Sequence, residues 1–134
     1  MKTENRIIVI EDDKDINMLI AYNLRKEGFV VEQCFDGLKA CEKLRNEYFS
    51  IVILDIMLPG MDGFDICKEI KSNERGSRSF VIVVSAKCNQ QDKLYANILG
   101  ANHYFTKPFN VGMLINRVKE INAMLNKEYV VTCK

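Results

Sequence analysis

Five short apolar runs recur along the chain, and each has the length of a single β-strand. Three of them are nearly unbroken stretches of valine, isoleucine, leucine or phenylalanine, which is typical of strands buried on both faces of a parallel sheet. The predicted strands cover residues 7–10, 30–35, 51–54 and 80–84, with a weaker run at 103–105. An antiparallel sheet with one wet face would instead alternate apolar and polar residues.

Between these runs, apolar residues recur three or four positions apart, which predicts amphipathic helices. The residues that mark the five helices are Ile16, Leu19, Ile20 and Leu24, then Leu38, Cys41, Leu44 and Tyr48, then Ile66 and Ile70, then Leu94 and Ile98, and last Leu114, Val118, Ile121 and Leu125. Gly28 and Gly100 are expected to end the first and fourth helices. Five consecutive β-α units predict a doubly wound α/β domain, with helices on both faces of a parallel sheet.

Length and composition fit one soluble domain of this kind. The chain has 134 residues, enough for one substantial core and too few for two ordinary domains. Its formal net charge of +1 gives no electrostatic reason to expect direct binding to nucleic acid or to an anionic membrane. We assign residues 1–125 to the domain and residues 126–134 to a C-terminal tail or the start of a linker, with a short strand expected at 128–132.

The cysteines and the first residues indicate the compartment. Five cysteines are scattered without a C-x-x-C pair, which argues against a disulfide framework and for a reducing environment. The N-terminal segment is not expected to be a signal peptide, because its apolar stretch is only four residues long before acids follow. We therefore expect a cytoplasmic protein.

Polar side chains stand at the carboxyl ends of four predicted strands, where ligands of open parallel sheets bind. These residues are Glu11, Asp12 and Asp13 after the first strand, Asp55 after the third, Ser85 after the fourth and Lys107 after the fifth. Asp13 is explained equally well as a helix N-cap. Asp55 lies between apolar residues, where a carboxylate is costly unless a cation or hydrogen bonds satisfy it.

This set of residue types predicts metal-assisted phosphoryl transfer. Acids at the ends of the first and third strands can share a hard divalent cation, and Mg²⁺ prefers one or two carboxylates with a carbonyl and waters. The carboxylate of Asp55 can act as a nucleophile that forms an aspartyl phosphate. Lys107 and the metal would neutralise the charge of the phosphoryl oxygens, and Ser85 could donate its hydroxyl to one of them.

Four motifs in this order resemble the receiver (CheY-like) domains of two-component response regulators. They are IIVIEDD at the first strand, VILDIMLPGMDG around Asp55, VIVVSA ending at Ser85-Ala86, and YFTKPF containing Lys107-Pro108. The resemblance extends to about residue 125. It implies a flavodoxin-like (βα)5 fold with a sheet in the order 2-1-3-4-5. It also implies a phosphorylation-dependent switch that is not an enzyme beyond its own phosphoryl transfer and slow dephosphorylation.

The resemblance also implies residue roles. Asp55 is the phosphoacceptor, Asp12 is a direct ligand of Mg²⁺, and Glu11 acts largely through water. The backbone carbonyl of Met57 completes the protein ligands, and Mn²⁺ is an alternative metal. A histidine kinase or a phosphotransfer protein is the implied phosphoryl donor.

Four further residues resemble the signalling parts of the family. Ser85 resembles the hydroxyl that moves toward the phosphoryl group, and Tyr104 resembles the aromatic residue that turns inward with it. Lys107 resembles the family's lysine, and its bond to Pro108 is expected to be cis. Ser85 could otherwise be the N-cap of the fourth helix, and Tyr104 an ordinary edge-strand aromatic.

Two outputs remain open. The segments NLRKEGFVV and LDIMLPGMDGFDICKEI resemble OmpR/PhoB-type regulators, which implies the regulatory half of a DNA-binding transcription factor. The alternative is a stand-alone receiver that binds a protein partner. OmpR/PhoB-type receivers dimerise through the fourth helix, fifth strand and fifth helix with a charged set of residues. Here Asn102, His103 and Met113 replace acids of that set and leave Arg117 without its expected partner, which puts this dimer in doubt.

Residues near the site also bear on the lifetime of the phosphoryl group and on two other protein classes. Met57 and Lys87 stand where receivers tune hydrolysis of the phosphoryl group, and an apolar and a basic residue there resemble slowly hydrolysing members. A haloacid dehalogenase-type phosphatase would need an acid at the position of Met57. A flavodoxin would need a hydroxyl- and glycine-rich loop where this chain has three acids. Both of these classes are disfavoured.

Overall fold

The computed structural model describes residues 5–132, and the side chains of residues 5–126. Its five strands correspond to the five apolar runs. They are β1 (Arg6–Ile10), β2 (Val30–Cys34), β3 (Ile51–Leu54), β4 (Phe80–Ser85) and β5 (His103–Thr106). Three of these strands, β1, β3 and β4, are almost wholly buried, whereas only two of the five residues of β2 are buried and β5 is half-buried throughout.

All five strands are parallel and pair in the order β2-β1-β3-β4-β5, which confirms the predicted fold. The register sets Ile10 opposite Leu54 and Leu54 opposite Val83. Consequently the residues that follow β1 and β3 leave the sheet side by side at its carboxyl edge.

Five α-helices connect the strands, together with a short 3-10 turn at Gly76–Arg78. They are α1 (Lys14–Lys26), α2 (Gly37–Asn46), α3 (Gly63–Ser72), α4 (Gln90–Ile98) and α5 (Val111–Thr132). The first four begin at side chains that accept a backbone N–H of the first turn, as N-caps do. These caps are Asp13, Asp36, Asp62 and Asn89.

Alternate residues of each strand enter two separate cores, one on each face of the sheet. Ile8, Val52 and Val83 pack with α2, α3 and Ala96 of α4 on one face. Ile7 and Ile53 pack with α1 and α5 on the other. Because every central strand is covered on both sides, its backbone bonds lie in a dry environment and hold the strand ends in fixed positions.

The periodic apolar residues do not all face the core in three of the helices. Leu19 in α1 is 46% exposed, Leu38 in α2 is 66% exposed, and Leu94 and Ile98 in α4 are 61% and 70% exposed. Tyr48 lies beyond the end of α2. The residue of α4 that enters the core is Ala96. The larger apolar side chains of α4 project outward instead.

The strand predicted at 128–132 is wrong, because α5 continues through Thr132. Valine and threonine favour strands only weakly without a neighbouring strand to pair with. Extending an existing helix adds one hydrogen bond for each residue ordered. Neither glycine nor proline interrupts the chain between Met113 and Thr132, so nothing ends the helix.

Three cysteines are buried, namely Cys34, Cys41 and Cys67. Cys88 is exposed, because it lies in the loop between β4 and α4 rather than on a core face. Cys133 lies outside the described residues. Among the helices that the structure describes, none combines the length and apolar character needed to cross a membrane.

Candidate functional site

The carboxyl edge of the sheet brings together the acids that follow β1 and β3. The backbone N–H of Asp55 donates to the carbonyl of Ile10 at 3.0 Å, and that of Glu11 donates to the carbonyl of Cys34 at 3.0 Å. These bonds continue the strand ladders by one residue. The positions of Glu11 and Asp55 are therefore set by the sheet itself rather than by a mobile loop.

Three carboxylates converge at this edge. One oxygen from each of Glu11, Asp12 and Asp55 lies within 4.8 Å of the others. Glu11 and Asp55 are only 3% and 5% exposed, whereas Asp12 is exposed. Three negative charges at this spacing repel one another, and two of them have lost most of their water, so the cluster requires positive charge.

Lys107 supplies one such charge from the end of β5. Its Nζ lies 2.6 Å from Oε1 of Glu11 and 3.0 Å from Oδ2 of Asp55. Burial alone would lower the pKa of Lys107, but the hydrogen bonds to both acids outweigh it and raise that pKa. The lysine is therefore a fixed ammonium between the two buried carboxylates. The peptide bond between Lys107 and Pro108 is cis.

The surroundings of Glu11 disfavour its ionised form. Burial, with a further contribution from the charge of Asp55, raises the pKa of Glu11 to about 7, although the bond to Lys107 opposes this shift. Its other oxygen accepts the N–H of Asp13 at 3.1 Å. Both oxygens of Glu11 are thus engaged within the protein.

The loop after Asp55 folds tightly against it. The N–H of Met57 donates to Oδ1 of Asp55 at 2.9 Å, and the N–H of Gly63 donates to the carbonyl of Ile56 at 2.9 Å. A Cβ at position 63 would lie 2.3 Å from Cα of Ile56, so only glycine permits this approach. The start of α3 is thereby packed directly on the backbone beside Asp55.

Ser85 and Tyr104 meet at the backbone of Lys87. The Ser85 side chain is fully buried, and its hydroxyl accepts the N–H of Lys87 at 3.2 Å. The half-buried Tyr104 donates its hydroxyl to the carbonyl of Lys87 at 2.7 Å. The N-cap of α4 is Asn89, so the alternative role for Ser85 as that cap is wrong. Residue types could not predict that Lys87 joins Ser85 to Tyr104, because both bonds use its backbone.

An open groove of about 690 Å³ lies beside the acids. Asp12, Met57 and Lys87 line it together with the loop between β3 and α3. Carboxylate and carbonyl oxygens are the donors that Mg²⁺ and Mn²⁺ prefer, and an exposed acid beside two buried ones leaves positions for waters. The residues present therefore fit a hard divalent cation at the mouth of this groove.

The face formed by α4, β5 and α5 lacks the acids that the charged dimer described above would need. Oδ1 of Asn102 accepts the N–H of Val81 at 2.8 Å, and Met113 is 64% exposed. Burial lowers the pKa of His103, and the nearby charge of Arg117 adds to this effect. Arg117 does have a partner, because its Nε lies 3.4 Å from Glu120 one turn along the same helix.

Comparisons with known proteins agree on one family. A family model described as the response regulator receiver domain matches residues 7–119. The BeF3-activated receiver domain of DrrB is 30% identical with a TM-score of 0.82, and the match covers 90% of this chain and 99% of that one. The chain covers 55% of DrrB from Thermotoga maritima, described as an OmpR/PhoB homologue, at 30% identity, 92% coverage of this chain and a TM-score of 0.82.

Two further solved structures are similar over nearly their whole length. A CheY-like receiver domain protein from Methanospirillum hungatei is 27% identical with a TM-score of 0.85, covering 94% of this chain and 99% of that one. The receiver domain of a sensor histidine kinase from Pseudomonas aeruginosa, with a magnesium ion coordinated in the active site cleft, is 27% identical. Its TM-score is 0.79, and the match covers 90% of this chain and 99% of that one.

The raised pKa of Glu11 predicts a pH dependence of stability in metal-free protein. In the folded state Glu11 binds its proton more tightly than its ordinary pKa of 4.5 allows. The contribution of that proton to the free energy of unfolding is fully present below about pH 4.5 and is lost as the pH rises through about 7. Replacing Glu11→Gln removes this titration, so stability should fall less between about pH 5 and pH 8 than in the wild type.

Urea denaturation with a chelator at several pH values measures this difference. Glu42→Gln, on the exposed face of α2, is the matched control and should keep the wild-type slope. Parallel pH profiles for the wild type and Glu11→Gln would contradict the prediction.

Proposed function

The chain belongs to the response regulator receiver domain family, and from that premise we propose that it is a phosphorylation switch whose phosphoacceptor is Asp55. The observation that carries the proposal is the single ammonium of Lys107 between Glu11 and Asp55, with Asp12 exposed beside them. This arrangement holds a nearly buried carboxylate next to an open groove, with positive charge already in place. The phosphoryl donor is a histidine kinase or a phosphotransfer protein.

The proposed metal ligands are the carboxylates of Asp12 and Asp55 and the backbone carbonyl of Met57, with Glu11 acting mainly through water. When bound, Mg²⁺ or Mn²⁺ would neutralise phosphoryl oxygens and bring them to the nucleophile. The clustering of three carboxylates within 4.8 Å supports this set. The histidine kinase receiver domain with magnesium in its cleft supports the choice of metal.

In the proposed transfer, a carboxylate oxygen of Asp55 attacks the phosphorus of a phosphohistidine. A new O–P bond forms while the P–N bond breaks, and the departing imidazole keeps the electron pair of that bond. Oδ1 of Asp55 already accepts the N–H of Met57, which holds the carboxylate in one orientation. Lys107 Nζ already lies 3.0 Å from Oδ2 of Asp55, so its charge is available to the phosphoryl oxygens.

The new phosphoryl group adds about −1.5 to −2 charges and three acceptor oxygens. The buried hydroxyl of Ser85 is the proposed donor to one of these oxygens. If Ser85 turns toward the phosphoryl group, it gives up the N–H of Lys87 that it now accepts. Tyr104 bonds the carbonyl of the same residue, so the loop at Lys87 couples the phosphoryl group to the face of α4, β5 and α5.

We favour a transcriptional output, as the regulatory half of a DNA-binding regulator. The 30% identity to the OmpR/PhoB homologue DrrB supports this choice. The second candidate is a stand-alone receiver that acts through protein partners. The neutral Asn102 and the exposed Met113 favour it, because the α4-β5-α5 face then presents an apolar surface without the ionic pairs of a charged dimer. Either protein would act in the cytoplasm.

Phosphorylation tests the central assignment. With acetyl phosphate and Mg²⁺, intact-mass spectrometry of the wild type should show one added phosphoryl group, and Asp55→Asn should show none. Asp65→Asn, an exposed aspartate in the first turn of α3, is the control and should be modified like the wild type. Equal yields on the wild type and Asp55→Asn would sink the assignment.

We also expect a long-lived phosphoryl state. Met57 and Lys87 line the groove beside Asp12, and neither a thioether nor an ammonium can accept a proton from an attacking water. The wild type should keep its label for minutes or longer, and Met57→Asn should lose it faster because an amide can orient the water. Met124→Asn, an exposed methionine of α5, is the control. Loss of the wild-type label within seconds in Mg²⁺ would refute this expectation.

A further inference from the structure

A polar residue lies inside the buried stripe of α1. Asn17 has no exposed surface, and it stands three and four positions before Ile20 and Ala21, which face the core. A buried amide is costly unless its donors and acceptor are all satisfied, so its partners identify what it holds.

The amide nitrogen of Asn17 points at the carboxyl ends of β1 and β2. Nδ2 lies 2.9 Å from the carbonyl of Glu11, 3.1 Å from that of Cys34 and 3.3 Å from that of Val9. The carbonyl of Cys34 also accepts the N–H of Glu11. Asn17 therefore bonds the backbone of Glu11 directly, and it also bonds the Cys34 carbonyl that accepts the N–H of Glu11.

Two further side chains set the orientation of the Asn17 amide, and the outer one, Arg25, is exposed to solvent. Arg25 Nη1 donates to Gln33 Oε1 at 3.1 Å, and Gln33 Nε2 donates to Asn17 Oδ1 at 2.9 Å. A guanidinium has only donors, so it selects the oxygen of Gln33 and leaves its nitrogen toward Asn17. Asn17 must then present its own nitrogen to the three carbonyls. Arg25 is itself held by the carbonyl of Val31 at 2.8 Å.

We propose that Asn17 is the positioning residue for the metal-binding acids, with Gln33 and Arg25 setting its orientation. The inference rests on the proposed function, because it assumes that Glu11 and Asp12 serve a divalent cation. With its amide removed, three buried carbonyls lose a donor, and the backbone that aims the two acids can shift toward water. Partners that orient metal ligands commonly change metal affinity by about 10-fold to 100-fold when they are removed.

Mn²⁺ is the probe, and its free concentration is followed by electron paramagnetic resonance during titration of the folded protein. Asn17→Ala should raise the dissociation constant for Mn²⁺ by about 10-fold or more. Gln33→Met keeps the shape of a half-buried side chain while breaking the chain of donors, so it should raise the constant by a smaller factor. If Asn17→Ala does not fold, the dissociation constant of Gln33→Met for Mn²⁺ tests the inference instead.

Asn23→Ala is the matched control, because Asn23 lies on the same helix and, within the part of the chain that the structure describes, its amide donates to the carbonyl of Leu19 and not to the acidic loop. It should bind Mn²⁺ like the wild type. A second readout is the Mg²⁺ concentration that gives half the maximal rate of phosphorylation. Asn17→Ala should raise that concentration and return to nearly the wild-type rate when Mg²⁺ is saturating.

Two results would overturn the inference in distinguishable ways. Wild-type Mn²⁺ affinity in both Asn17→Ala and Gln33→Met, even with a lowered melting temperature, would show that the network serves only stability. Failure of the wild type itself to bind Mn²⁺ would refute the proposed metal site, and the positioning role with it.

Discussion

Two nearly buried carboxylates face one ammonium at the edge of the sheet, and the rest of the structure depends on this arrangement. Both side chains are almost fully buried, and removing a carboxylate from water costs several kcal/mol unless positive charge or hydrogen bonds offset it. Lys107 offsets part of that cost with bonds of 2.6 and 3.0 Å. One ammonium does not balance three acids, so the site keeps an unmet need for positive charge. In the proposed function a divalent cation meets that need.

The same arrangement connects the site to a distant face. Lys107 follows β5, and its N–H donates to the carbonyl of Ser85 at 2.9 Å, which ties the ends of β4 and β5 together. Ser85 and Tyr104 then share the backbone of Lys87. Under the proposed function, a change in charge at Asp55 would therefore reach residues that are already bonded to the loop before α4. This contact path is short, since it passes through a single loop rather than through the core.

The sequence predicted the fold and the membership of the acid cluster for a clear physical reason. Strands buried on both faces read as apolar runs, and the carboxyl ends of parallel strands share one edge, so Glu11, Asp12 and Asp55 had to converge. Asn17 was not predicted, because apolar periodicity marked Ile16 and Leu19 while the buried stripe of α1 includes a polar residue. The end of α5 was missed because local strand preference carries little weight where no strand pairs. Such outcomes depend on tertiary partners, which periodicity does not record.

A crystal structure of the protein with Mg²⁺ and beryllofluoride, a stable stand-in for the phosphoryl group, tests the account most directly. The account predicts beryllium bonded to a carboxylate oxygen of Asp55, with Lys107 Nζ on one fluorine and Ser85 on another. It also predicts the metal in contact with Asp12 and with the carbonyl of Met57. Beryllofluoride on a different carboxylate, or its absence from Asp55 at saturating concentration, would contradict the account.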